Sequence, residues 1–141
     1  MRNDPNRVTG WTFWLVCLLG LLWNLGGSAN YLMQMNLDFV AGMPETHRAI
    51  IEGRPAWATG GFAIGVFGGA LGCILLMFRS SAAIYLFLIS LLGIVLTMVH
   101  TVNVAMSPVE FSIGELAIMV VAPVIVAMGL LWFARRVLSK I

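Results

Sequence analysis

Seven polar residues interrupt otherwise apolar stretches and are the ones able to bind or react: Asn24, Asn30, Tyr31, Gln34, His100, Asn103 and Glu115. An imidazole at His100 can carry a proton, contact a quinone or a solute, or ligate a metal. No second ligand stands three or four residues from it, which argues against a metal. The bland reading is a neutral histidine hydrogen-bonded to a neighbouring helix. Asn24 lies about half way along its apolar stretch, where an unpaired amide is costly. It is expected to bond across to another helix, for about 0.6–2 kcal/mol, with a substrate contact as the alternative. Ser112-Ile113-Gly114-Glu115 fits the S-x-x-E capping box, in which the carboxylate reaches back to a free backbone N–H. Ser107-Pro108-Val109-Glu110 fits the same pattern one step earlier. Capping is therefore the expected role of Glu115. Asn30, His100, Asn103 and Glu115 could nonetheless meet near the outer surface, and any binding or chemistry would be sought there. The sequence has no nucleophile–base pair, phosphate loop, paired carboxylates or metal spacing, so neither an enzyme nor a cofactor is expected. No carboxylate falls near a midplane, which argues against an antiporter working through a central glutamate.

The elements that must position these residues follow from composition. Of 141 residues, 60% are hydrophobic and only 10% charged, against roughly 25% charged in soluble domains. Mean hydropathy of +0.96 agrees. The net charge of +2 is small and gives no footing for nucleic acid. Apolar runs predict four membrane spans at about 11–34, 55–78, 82–104 and 112–133, each near the ~20 residues needed to cross the hydrocarbon core. The first run could pass for a secretory signal, but its length, Asn24 and its tryptophans predict an uncleaved span. Residues 44–53 read as a short surface helix with Pro44 in its first turn and Gly53 at its end. Its Arg48 and Glu52 stand four apart, and Met43, Ile50 and Ile51 can rest on the bilayer surface.

Within the spans, polar and small residues fall on stripes. Gly20, Asn24, Gly27, Ser28, Tyr31 and Gln34 share one face of the first span, and Ser90, Gly93, Thr97 and His100 one face of the third. Gly61, Gly65 and Gly69, and again Gly68 and Gly72, repeat the small-xxx-small spacing that lets helix backbones approach closely in lipid. Pro123 removes a backbone hydrogen bond and should kink the fourth span. Cys17 and Cys73 read as buried small hydrophobes rather than a disulfide.

Orientation follows from basic residues in the short loops. Arg2, Arg7, Arg79, Arg135, Arg136 and Lys140 fall on one side, and only Arg48 and Arg54 on the other. Both termini are therefore expected in the cytoplasm. Asp38, Glu45, Glu52 and Glu110 then face out, Trp11, Trp14 and Trp132 mark the inner boundary, and Trp57 and Tyr31 the outer one. The expected fold is an all-α antiparallel bundle of four transmembrane helices.

Leu22-Trp23-Asn24-Leu25, Tyr31-Leu32-Met33-Gln34, the stretches Glu52 to Thr59 and Val66 to Cys73, and Leu131 to Arg136 resemble a group of small four-span bacterial inner-membrane proteins. The resemblance runs over nearly the whole chain. It implies a multi-pass protein of the bacterial inner membrane and, since some members are called sugar transporters, a link to solute transport. It brings no catalytic or binding residues with it. Two functions are carried forward. One is a non-enzymatic interaction or accessory bundle that meets itself or a larger membrane complex through glycine faces. The other is an oligomeric small-solute transporter lined by Asn24, Tyr31, Gln34 and His100. A redox or quinone-linked enzyme using His100 is the least favoured reading. Single cysteines introduced near each terminus should both react with a membrane-permeant thiol reagent and both resist an impermeant one added outside intact cells. Labelling of one terminus from outside contradicts this topology.

Overall fold

Runs of apolar residues this long can satisfy their backbone in lipid only as helices, and helices are what form. The structure, a computed structural model, describes residues 10–106 and 110–139. The four long helices are α1 (Gly10–Met33), α4 (Ala56–Met77), α5 (Ala82–Ala105) and a last span, Ile113–Leu138. All are long and apolar enough to cross a membrane, which makes the chain a multi-pass membrane protein. Two short helices, α2 (Leu37–Ala41) and α3 (Glu45–Glu52), lie between α1 and α4. The sequence reading has no counterpart of α2, whose N-cap Asn36 accepts from the backbone N–H groups of Asp38 and Phe39. Arg2, Asp4, Arg7, Lys140 and the Ser107-Pro108 start of the upstream capping pattern lie outside the described residues.

The last span is built in three pieces: α6 (Ile113–Leu116), a π turn over Ala117–Val121, and α7 (Ala122–Leu138). Pro123 explains the middle piece. Its ring would collide with the carbonyl four residues back, and it has no N–H to give. The wider turn, in which Ala122 N–H reaches Ala117 O, absorbs the conflict. The end of α4 is equally specific. Ser80 N–H bonds Leu75 O at 3.0 Å and Arg79 N–H bonds Leu76 O at 2.8 Å, a Schellman closure. Glycine usually fills its left-handed position, but here Arg79 does, at φ 55°. The Arg79 guanidinium lies 4.1 Å over the Phe13 ring, a contact that helps hold this unusual residue in place.

Contacts along the helices run in opposite senses, giving an up-down-up-down bundle. The pair α4 and α5 is its hub: Gly61 faces Gly93 and Thr97, Gly65 faces Ile94, Gly68 faces Ser90, and Gly72 faces Phe87. A β-carbon on Gly93 would stand 2.5 Å from Gly61 O and 2.9 Å from Gly65 N, so the two backbones touch. On the other flank of α4, Gly69 receives the Asn24 side chain and Val66 fits against Gly27 of α1. The glycines thus serve two seams within the chain, one with α5 and one with α1. The last span is the least enclosed, with 17% of its most apolar window buried against 44% for α4. Near the Arg79 turn the helices close on an apolar plug of Phe13, Cys17, Cys73, Leu76, Phe87, Leu130 and Phe133. Phe13 and Phe133 stack there at 6.3 Å. Both cysteines are free and buried.

Gly93→Ala should cost about 1–3 kcal/mol, because its new methyl meets backbone that cannot move aside. Gly129→Ala, with nothing within 4 Å of the added carbon, should gain about 0.5–1 kcal/mol. Reversible unfolding in mixed micelles measures both.

Candidate functional site

Helix α3 is amphipathic in an unexpected direction. Thr46 and Ile50, one turn apart, are its buried residues, so its inner face packs onto the ends of α5 and the last span. Ile50 does not rest on the bilayer surface as the sequence suggested. The Arg48 Nε donates to Met43 O at 3.1 Å.

Two hydrogen bonds pin this lid. The Ile50 carbonyl belongs to the last turn of α3, where carbonyls lack intrahelical partners. His100 supplies the donor, with Nε2 at 2.9 Å from Ile50 O. Because a carbonyl only accepts, Nε2 carries the hydrogen. The imidazole also meets the Trp57 ring edge-on at 6.4 Å. At the other end, Thr46 Oγ1 donates to Glu115 Oε1 at 2.8 Å. Glu115 simultaneously forms the expected capping box: Ser112 N–H reaches Oε2 at 2.9 Å, and Glu115 N–H reaches Ser112 Oγ at 3.1 Å. One carboxylate therefore starts the last span and holds down α3. Since the Thr46 proton is committed to Glu115, the 3.3 Å contact between Thr46 Oγ1 and His47 Nδ1 requires His47 to donate there.

The expected outer cluster does not assemble as such. His100 and Glu115 each bond α3 rather than one another, Asn103 is exposed, and Asn30 lines the cavity described below. Asn24 is corrected too. Its Nδ2 donates to Gly20 O at 2.8 Å within its own helix, and Ser28 Oγ closes the next turn onto Asn24 O at 2.8 Å. The buried amide still joins α1 to α4, but by filling the notch over Gly69 rather than by an inter-helix hydrogen bond. The stripe on α5 does bond across: Ser90 Oγ donates to Gly65 O, and Thr97 Oγ1 lies 3.0 Å from Ala58 O.

Beneath the lid is a cavity of about 560 Å³. At the plug end, α1 meets the last span through Phe13–Phe133 and Gly20–Leu130. Beyond that the two helices part, and α4 and α5 form the back wall. Leu22, Trp23, Gly26 and Asn30 of α1 and Ile118 of the last span are exposed members of the lining, so the cavity opens between these two membrane-spanning helices. The deep end is apolar, with Phe87, Val126, Ala127 and Leu130. The polar lining comprises Asn24, Asn30, Gln34, His47, Arg54, Ser90, Thr97 and Thr101, and among the described residues no carboxylate lines it. Gln34 contributes a side-chain oxygen that is buried and has no hydrogen-bond partner among the described residues. Tyr31 and His100 stay out of the lining. Tyr31 instead packs edge-on against Phe62 and Phe67, at 5.5 and 5.8 Å.

Arg54 is the feature that sequence reasoning missed. Its Nε donates to Thr59 Oγ1 at 3.2 Å, and its guanidinium carbon lies 5.3 Å from the centre of the Phe62 ring. Among the described residues no carboxylate forms an ion pair with it. Burial lowers its pKa from the ordinary value and the Tyr31 phenol partly opposes this, yet a guanidinium stays charged in proteins. Its position immediately before Pro55 and the second span was the available signal. It read there only as a loop charge.

In comparisons with known protein families, characterised proteins and solved structures, nothing matches this chain.

If His100 and Thr46 fasten the lid, the double variant His100→Leu with Thr46→Val should raise hydrogen exchange in residues 45–52 by about tenfold or more, leaving α4 and α5 protected. Unchanged exchange in α3 would show that packing of Ile50 alone holds it.

Proposed function

We propose that this protein is a non-enzymatic membrane bundle that holds one amphipathic small molecule between α1 and the last span, taken up sideways from the bilayer. The observation that carries this reading is the cavity itself: apolar at depth, polar under α3 and open on its lipid-facing flank. Most binding sites for small molecules combine an apolar wall with a few placed polar groups. Among the described residues the lining offers hydroxyls, amides, an imidazole and a guanidinium, a set suited to recognition rather than to bond-breaking.

This reading narrows the two carried forward from the sequence. The interaction bundle was to use its glycine faces, but Gly61, Gly65, Gly69 and Gly72 are buried against α5 and α1 of the same chain. A solute path needs polar groups through the full thickness of the membrane, whereas the plug of Phe13, Leu76, Phe87 and Phe133 stops the cavity short of the Arg79 end. The charge count and the resemblance to small bacterial proteins support an inner-membrane location with both termini cytoplasmic.

Gly26 provides a clean test. It lines the opening, and an added β-carbon there meets nothing within 4 Å. Gly26→Phe should leave folding intact yet fill the mouth. Native mass spectrometry of wild type from mild detergent should show one retained amphiphile per chain, and the variant should lose it. Equal retention in both would place the molecule elsewhere on the protein.

A further inference from the structure

We infer that the molecule taken up by the cavity is an anionic lipid whose headgroup is bound under α3 by Arg54. This rests on the cavity reading above and adds the ligand's chemical class.

Three observations point the same way. First, Arg54 lines the cavity half-buried, with a hydroxyl and an aromatic ring as its neighbours and, among the described residues, no carboxylate paired with it. A cation withdrawn from water without a counter-charge is poorly compensated, and an anionic oxygen from a ligand supplies the missing partner. Guanidinium is the side chain best shaped to hold a phosphate or carboxylate through paired N–H groups. Second, the rest of the polar lining is free of acids among the described residues. Asn30 adds an amide donor, and the oxygen of Gln34, unpartnered among the described residues, accepts a hydroxyl from the same headgroup. Among the described residues no negative charge in the lining opposes an anion. Third, polarity falls with depth. The headgroup region lies at the α3 end, while Phe87 and Val126 line the end near the plug. A free inorganic anion has no use for that apolar half. A lipid does, and the sideways opening lets it enter without its chain crossing water. Basic recesses between transmembrane helices are a recurring means of binding anionic headgroups.

The test is a titration of the purified full chain with phosphatidylglycerol and phosphatidylcholine of identical acyl chains, followed by native mass spectrometry. Wild type should bind one phosphatidylglycerol roughly tenfold more tightly than phosphatidylcholine, the scale of one charge-assisted contact. Arg54→Gln should bring the two lipids within about threefold, and Arg54→Lys, which keeps the charge, should retain a clear preference. Arg79→Gln, at the opposite end of the bundle, should leave the preference unchanged. Loss of preference there as well, or its survival in Arg54→Gln, would overturn the assignment. Stoichiometric binding of both lipids with equal affinity, abolished by Gly26→Phe, would leave the cavity reading standing and defeat the headgroup claim alone. A third arm adds millimolar inorganic phosphate. Displacement of the lipid by phosphate would identify a free anion as the ligand and overturn the lipid. If neither lipid binds at one site per chain, both readings fail together.

Discussion

The contact between the backbones of α4 and α5 is where the structure begins. In lipid, apolar side chains gain little by leaving a medium as apolar as themselves, so helices are held by close packing and polar contacts. Gly61, Gly65 and Gly93 remove the side chains that would keep these two helices apart. The approach also makes Ser90 and Thr97 useful, because only a close neighbour leaves backbone carbonyls within reach of such short hydroxyls. The tight Arg79 turn enforces the pairing from one end.

A rigid central pair determines what the outer helices can do. Helix α1 has its own fit to α4 through Asn24 over Gly69 and Gly27 against Val66. The last span rests on α5 and on the plug. Neither flanking helix has to touch the other beyond the plug, and they do not close the gap there. Helix α3 roofs the space because two spans each provide it with one hydrogen bond, from His100 and to Glu115. A side chain read as a helix cap therefore does two tasks, since a carboxylate has two oxygens and the cap engages one of them.

The helices were legible because their signals are local. Apolar runs, Pro44, Gly53, Pro55 and the Ser112–Glu115 pair each announce structure within a few residues of themselves. The glycine spacing marked close packing, though not which partner each glycine would meet. What escaped was relational. Asn24 looked like an inter-helix donor because a buried amide needs a partner, and its own helix supplied one at Gly20. The cavity arises where two helices fail to meet, and no residue type encodes that failure. Arg54 read as one more loop charge because its significance depends on the missing carboxylates around it, a property of the folded surroundings. Ile50 looked lipid-facing because the direction of a short amphipathic helix cannot be told until its neighbours are placed.

The π turn at Ala117–Val121 has a bearing on how this span could change over generations. A turn of that kind holds one residue more than an ordinary one, so it behaves as an insertion the helix has already absorbed. Deleting a single amino acid between Ala117 and Val121 returns the segment to regular winding. The same deletion elsewhere would rotate one half of the span by about 100° against the other, carrying its packed face away from α5. Natural length variation in the last span would therefore be concentrated in this window, just ahead of the proline that made it necessary.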